Sequence, residues 1–287
     1  MEQATIGIIG GSGLYDIEGV KIVDEVSMDT AWGAPSDNVI IAEIEGVRAA
    51  FLPRHGRGHV HLPMEINNRA NIAALKMLGV RQVIAFSAVG SLTEMVHPLD
   101  FVVPDQMIDR TRVRAATFFG NGVAAHIAFA HPFCDRLRHL VSARGALKGV
   151  ALHDGGTLLC MEGPAFSTRA ESELYRAWGA QVINMSSSAE AKLAREAEMC
   201  YAVVCMATDY DCWKEDEEHV TVDMLIANLS KNGENAKSMV KTLVPAMAAA
   251  KRDCGCGATV GSAIITAPEK RNPEQVHKLR TILPEYF

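Results

Sequence analysis

No apolar run in this chain approaches the roughly 20 residues that a membrane-spanning helix needs. The N-terminus also lacks a charged segment followed by an apolar stretch, so no signal peptide is expected and the chain reads as cytoplasmic. Basic residues are outnumbered, with 28 Lys and Arg against 34 Asp and Glu. The resulting net charge of -6 gives no electrostatic reason to expect nucleic acid or a membrane surface as partner. No C-x-x-C pairs with a second one, which argues against a structural zinc site. The G-x-S-x-G elbow of a catalytic serine occurs nowhere. A dinucleotide fingerprint would need glycine where Asp16 stands, and no G-K-[ST] of a phosphate-binding Walker loop is present.

What is there reads as a globular α/β chain. Its 287 residues suffice for one large domain or two ordinary ones, and 48% hydrophobic with 22% charged residues is ordinary usage. Short apolar runs predict strands at Ile6 to Ile9, Val39 to Ile44, Val47 to Leu52, Val83 to Ala88, Val102 to Val103, Thr157 to Met161, Val182 to Met185 and Ala202 to Ala207. Helical patterns fall between them at Asn71 to Leu78, Arg169 to Trp178 and Ala189 to Glu198. A long helix is expected from about Val222 to Lys251, kinked or ended by Pro245. This alternation predicts a largely parallel sheet in residues 1–252. The pattern weakens beyond, so residues 253–287 read as a loose C-terminal extension. Within it Cys254-Gly255-Cys256 fits a strained local disulfide, a redox pair or two free surface thiols.

Strand ends are where α/β proteins build their sites, and here they carry small, polar or basic residues. Gly10-Gly11-Ser12-Gly13 is either a backbone cradle for an anion or a plain tight turn. Arg54-His55-Gly56-Arg57-Gly58-His59 sets cations between glycines, fit for an anion or simply a basic loop. Ser87-Ala88-Val89-Gly90-Ser91 and Asn184-Met185-Ser186-Ser187-Ser188 offer hydroxyls, the latter equally a helix cap. Phe166 could stack on a flat ligand or belong to the core. Asp209 and Asp211 close an apolar strand, and side-chain alternation puts both on one face. Two carboxylates so placed repel and are partly desolvated, so one can hold a proton near neutral pH. Such a pair donates one hydrogen bond and accepts another, matching N7 and N6 of a 6-aminopurine. A pair of solvated loop acids is the simpler alternative.

In this order the segments resemble the methylthioadenosine phosphorylase branch of the trimeric purine nucleoside phosphorylase family, from Ile6 to about Leu243. Arg54-His55-Gly56, Ser87-Ala88-Val89-Gly90-Ser91-Leu92, Asp105 to Thr111, Glu162-Gly163-Pro164, Phe166-Ser167, Ala170-Glu171-Ser172 and the Asp209 segment carry the resemblance together. It implies a single nucleoside phosphorylase domain with a twisted mixed β-sheet flanked by helices. It also implies phosphorolysis of S-methyl-5′-thioadenosine in methionine salvage, in a trimer or a dimer of trimers. Phosphate is then a co-substrate, and neither cofactor nor metal is needed. By the same resemblance Ser12, Arg54, His55, Ser87, Ala88 and Ser186 bind phosphate. Met185 lies against the ribose, and Phe166, Ser167, Asp209 and Asp211 surround the base, the two acids being catalytic. His126 is the residue a neighbouring subunit brings near the 5′ group, and Val220, Val222 and Leu225 form the apolar 5′ wall.

Serine at 186 stands where the family often has threonine, alanine at 189 where it has proline, and asparagine at 68 where tyrosine is common. A C-x-C near the C-terminus occurs in some heat-stable relatives, which implies a Cys254–Cys256 disulfide here. Relatives that use 6-oxopurines tend to carry asparagine at the position of Asp209. A broader purine nucleoside or methylthioinosine phosphorylase is therefore the alternative within the class. Outside it stand a nucleotide-binding oxidoreductase built on Gly10 to Gly13 and a redox or interaction protein organised by Cys254 and Cys256.

Overall fold

A computed structural model describes residues 3–11, 14, 17, 20–214 and 222–287, the side chains of 222–226 excepted. The strands are β1 (Ile6–Gly10), β2 (Lys21–Val26), β3 (Val39–Ile44), β4 (Val47–Pro53), β5 (Gln82–Ser91), β6 (Phe101–Val103), β7 (Gln106–Asp109), β8 (Leu152–Asp154), β9 (Thr157–Cys160), β10 (Val182–Asn184) and β11 (Cys200–Tyr210). The helices are α1 (Asn68–Met77), α2 (Asp135–Arg144), α3 (Arg169–Ala177), α4 (Ser187–Glu196), α5 (Val222–Ala249) and α6 (Pro273–Arg280). The strands form one mixed 11-stranded sheet with the path β2-β3-β4-β1-β5-β10-β9-β7, and β11, β6 and β8 branch from β5. β1 is parallel to β4 and β5, and β11 is parallel to β5, while β10 runs antiparallel to β5.

Side-chain alternation along β1 sorts its residues to two cores. Ile6 and Ile8 meet the α2 and α5 side, where Leu137, Val141, Met239 and Leu243 are buried. Ile9 meets the α1 and α4 side, with Ile72, Leu75, Ala191 and Leu193. β11, buried almost throughout, lies between the layers. This is the architecture expected of apolar strands separated by amphipathic helices.

β5 is where the sheet divides. One of its edges is covered along its whole length by β11. On the other edge β1 covers Gln82 to Ala85 and β10 covers Gly90 and Ser91. Neither strand pairs with Phe86 to Val89, so a gap opens where β1 and β10 diverge. The functional cavity lies there.

Several elements depart from the sequence expectation. β2, β7, β8 and α2 were not foreseen: β2 is exposed and charged, and β7 and β8 are too short for a periodic signal. α5 runs through Pro245 and ends at Ala249. The tail is not loose. Val260, Leu279, Ile282 and Leu283 are buried in the α1/α4 core, three of them at helical spacing in and just after α6. Gln275 Nε2 donates to Phe118 O at 2.7 Å, and the Tyr286 hydroxyl donates to Glu198 Oε1 at 2.9 Å. Among the described residues no helix is long and apolar enough to cross a membrane.

Glu196, in the last turn of α4, is buried and accepts from Thr117 Oγ1 at 2.8 Å and Phe118 N at 2.6 Å. Burial pushes its carboxyl up to about 7, from an ordinary value near 4.5. The folded state therefore holds a proton that the unfolded chain releases, and stability falls as pH rises between those values. The expected loss across that window is about 3 kcal/mol. Urea unfolding of the unaltered chain and Glu196→Gln at pH 5 and pH 8 checks this. The difference between the two chains should favour Glu196→Gln at the higher pH.

Candidate active site

A cavity of about 740 Å³ fills the gap beside β5. Its wall is built from segments that follow strand ends: Gly11 after β1, Arg54 and His55 after β4, Met161 after β9, and Met185 and Ser186 after β10. Ser87 to Gly90 of β5, Thr208 and Asp209 of β11, and one face of α5 complete it.

One end is suited to an anion. The Arg54 backbone N–H donates to Gly10 O at 2.8 Å, which ties the ends of β1 and β4 together. Its side chain is buried and forms a bidentate pair with Glu190 through Nε and Nη2, the latter at 3.0 Å. Nη1 donates to Phe86 O at 2.9 Å, the carbonyl at the start of the unpaired stretch of β5. Three of the five N–H donors are thus committed, leaving two for a ligand. Burial pulls the guanidinium down, but the Glu190 carboxylate outweighs it and Arg54 stays charged. The Tyr201 hydroxyl donates to Glu190 Oε2 at 2.7 Å; burial, then the Glu190 charge, raises that phenol far above its ordinary value.

His55 has a different character. Its Nδ1 lies 2.9 Å from His61 O, and a carbonyl only accepts, so Nδ1 carries the hydrogen. Burial lowers its pKa to about 4, which keeps the ring neutral. Nε2 is then an acceptor, available to a phosphate or sugar hydroxyl. The ring stacks on His59 with centroids 4.1 Å apart.

The hydroxyls come from two strands that approach across the gap. Asn184 Nδ2 donates to Ser87 Oγ at 3.0 Å and to Ser187 Oγ at 2.7 Å, and the Ser87 hydroxyl itself donates to Ala88 O at 3.2 Å. Ser87 and Ser186 Oγ are 3.3 Å apart. Ser186 is the N-cap residue of α4, yet its side chain makes no cap bond. The hydroxyl and the first N–H groups of α4 remain for an anion, which the helix dipole also favours. Arg114, its side chain 1% exposed, bonds Glu162 at 3.0 Å and also donates to Met185 O. It locks the segment after β9 to the segment before α4.

The other end carries the acids. β11 is bulged between Ala207 and Asp209, and Asn228 and Asn232 of α5 donate to Thr208 O at 2.7 Å and Ala207 O at 2.8 Å. Asp211 lies just past β11, held by its N–H to Ser91 O at 2.9 Å. Both acids flank Gly90: a Cβ there would lie 3.4 Å from Asp209 Oδ1 and 3.4 Å from Asp211 Cβ. Burial raises the Asp209 pKa, opposed by the Thr208 hydroxyl at 2.6 Å and reinforced by Asp211. Asp211 Oδ2 is buried without a hydrogen-bond partner among the described residues. Phe166 stands at the mouth, 75% exposed.

The fold therefore gathers Arg54, His55, Ser87, Ala88, Phe166, Met185, Ser186, Asp209 and Asp211 around one cavity. Ser167 is not among the residues lining the cavity: its hydroxyl turns to Met161 Sδ at 3.8 Å, and its carbonyl accepts from Cys212 Sγ at 3.2 Å. His126 is exposed and lies outside the cavity of its own chain. Ser12 and Val220 lie outside the described residues, as do the side chains of Val222 and Leu225. The sequence reading missed Glu190, Asn184 as a positioning group, Arg114, and the α5 face at Leu229, Ser230 and Gly233.

Gly233 sits inside α5, and a Cβ there would meet nothing within 4 Å among the described residues. Gly233→Ala is expected to raise stability by about 1 kcal/mol in urea unfolding. Gly233→Leu should instead project into the cavity and weaken ligand binding there, read as a raised Kd.

A family model described as the phosphorylase superfamily matches residues 5–245. A Synechocystis protein named S-methyl-5′-thioadenosine phosphorylase is 53% identical, over 100% of this chain and 89% of its own length. A Geobacter sulfurreducens protein of the same name is 50% identical over 100% of both chains. The crystal structure of a methylthioadenosine phosphorylase from an antarctic soil metagenomic library superposes with a TM-score of 0.93. It is 43% identical and covers 99% of this chain and 100% of its own. A methylthioadenosine phosphorylase from Schistosoma mansoni in complex with adenine superposes at 0.81, with 36% identity over 86% of this chain and 93% of that one.

Proposed function

The chain belongs to the phosphorylase superfamily, and we propose that it cleaves S-methyl-5′-thioadenosine with phosphate to adenine and S-methyl-5-thio-α-D-ribose 1-phosphate. The reading rests on one cavity that offers a cationic, hydroxyl-rich end and a dicarboxylate end. The names of full-length relatives at about half identity support it.

Phosphate at the Arg54 end accepts from the two remaining guanidinium N–H groups, Ser87, Ser186 and the α4 N-terminus, and donates to His55 Nε2. Held there, one phosphate oxygen is positioned beneath C1′, and this proximity lowers the barrier. The C1′–N9 bond breaks as the phosphate O–C1′ bond forms, and the bond's electron pair leaves with the purine. The sugar gains cationic character that the bound anion stabilises. Asp209, which burial keeps inclined to hold a proton, delivers it to N7, and Asp211 accepts from the N6 amino group. A 6-oxopurine presents two acceptors there and leaves a carboxylate unpaired.

The proposal includes a trimer or a pair of trimers acting in the cytoplasm in methionine salvage, with no cofactor. Exposed His126 is then offered to a neighbour's cavity, and the open mouth beside Phe166 is the side it closes. Base release from methylthioadenosine, adenosine, methylthioinosine and inosine, each with and without phosphate, tests the function. Rapid release from methylthioadenosine only with phosphate is expected. Equal release without phosphate would mean hydrolysis, and equal turnover of inosine would mean a broader purine nucleoside phosphorylase.

A further inference from the structure

Cys134 and Cys200 stand far in sequence from the Cys254-Gly255-Cys256 pair, yet the fold brings all four together. Cys134 is the N-cap residue of α2, Cys200 opens β11, and Cys254 and Cys256 lie at the 3-10 turn Gly255–Ala258 beyond α5. Their sulfurs all lie within 4.8 Å of one another, with Cys200 and Cys254 3.3 Å apart. All four are free thiols, three of them buried, so the expected Cys254–Cys256 disulfide is absent and Cys256 is no surface thiol.

Size discriminates between the uses of such a cluster. Four thiolates about 2.3 Å from a tetrahedral zinc ion stand about 3.8 Å from one another. The cluster, with the Cys200 and Cys254 sulfurs at 3.3 Å and no pair beyond 4.8 Å, spans that value. Two disulfides would sort the sulfurs into bonded pairs about 2.0 Å apart. Charge discriminates as well. A divalent ion with four thiolates carries two negative charges, and two guanidinium groups are at hand. Arg252 Nε donates to Cys200 Sγ at 3.3 Å, and Arg136 Nη2 lies 3.8 Å from the same sulfur. Arg136 Nε and Nη1 are buried without a hydrogen-bond partner among the described residues, and a dianionic cluster beside them supplies the missing counter-charge. Cys134, as the N-cap residue, places its sulfur at the positive end of the α2 dipole.

We infer that Cys134, Cys200, Cys254 and Cys256 form a four-thiolate site for a divalent cation of the zinc class, a site the sequence reading did not expect. Four protein ligands leave no open position, so the site is structural. None of the four lines the cavity, and Cys200 sits at the opposite end of β11 from Asp209, about 30 Å away along the strand. Its work is to fasten the segment after α5 onto the start of β11 and α2. It does not depend on the proposed reaction.

The test is metal analysis of the full chain purified with a phosphine reductant and no chelator, followed by exchange with Co(II). About one zinc per chain is expected. Co(II) should give a thiolate-to-metal charge-transfer band and the intense visible bands of a tetrahedral site. Cys254→Ser with Cys256→Ser should lose both. In the unaltered chain, bound zinc should slow alkylation of half-buried Cys254 while leaving exposed Cys212 reactive. Absence of the charge-transfer band in the reduced, unaltered chain would overturn the site whether or not the variant folds. So would mass spectrometry, without reduction, that finds these cysteines joined as two disulfides.

Discussion

Asp209→Asn is expected to lower kcat for S-methyl-5′-thioadenosine by about 10²–10⁴-fold while leaving the fold intact. The substitution is nearly isosteric, and Thr208 Oγ1, 2.6 Å from Asp209 Oδ2, can still donate to the amide oxygen. What disappears is a proton that can be transferred. Burial, seconded by the neighbouring Asp211, raises the Asp209 pKa, so the carboxyl is poised to give a proton to N7 as the glycosidic bond stretches. An amide can donate a hydrogen bond there but cannot protonate the leaving base. It can equally donate to O6, so methylthioinosine should gain relative to methylthioadenosine. Steady-state kcat and kcat/KM for both substrates check this together, and an unchanged ratio between them would remove Asp209 from base recognition.

That residue also shows which features were legible before the fold was known. The apolar runs of β1, β3, β4, β5 and β11 announce themselves, and polar residues at their ends mark the site. Strand alternation put Asp209 and Asp211 on one face, and both do line the cavity. The reason is different, however. β11 is bulged before Asp209 and ends at Tyr210, and Asp211 is aimed by its bond to Ser91 of β5. Register irregularity of this kind leaves no trace in residue spacing.

Partners distant in sequence were equally invisible. Glu190 looked like one more helix former, because nothing local ties it to Arg54 136 residues away. Asn184 and Ser87 are 97 residues apart, and Arg114 and Glu162 48 apart. Each side chain alone is ambiguous and acquires its role only from the one it meets. The four clustered cysteines follow the same rule, since only the C-x-C member had a recognisable spacing. The tail was misjudged for another reason. Its few apolar residues make a weak pattern alone but fill one edge of an existing core.

Glu190→Leu is expected to cost about 3–5 kcal/mol in stability, because it strands the Arg54 cation in a site with a side-chain exposure of 3%. It also leaves the Tyr201 hydroxyl without its acceptor. Phosphate should return part of that loss, since it supplies a counter-charge to Arg54. At a concentration 100 times its Kd, a ligand of the folded state alone adds about 2.7 kcal/mol. Phosphate stabilisation should therefore be larger in Glu190→Leu than in the unaltered chain, while kcat falls because Arg54 is no longer held in its bidentate fork. Adding Arg54→Met removes the stranded charge and should restore most of the stability, as apolar replacement of a buried pair does. It should also abolish the response to phosphate. Urea unfolding of the unaltered chain, Glu190→Leu, Arg54→Met alone and the double variant, with and without phosphate, forms a closed cycle. The pair is structural alone if the double variant keeps its phosphate response. Glu190 serves the anion site through Arg54 if stability returns and the response does not.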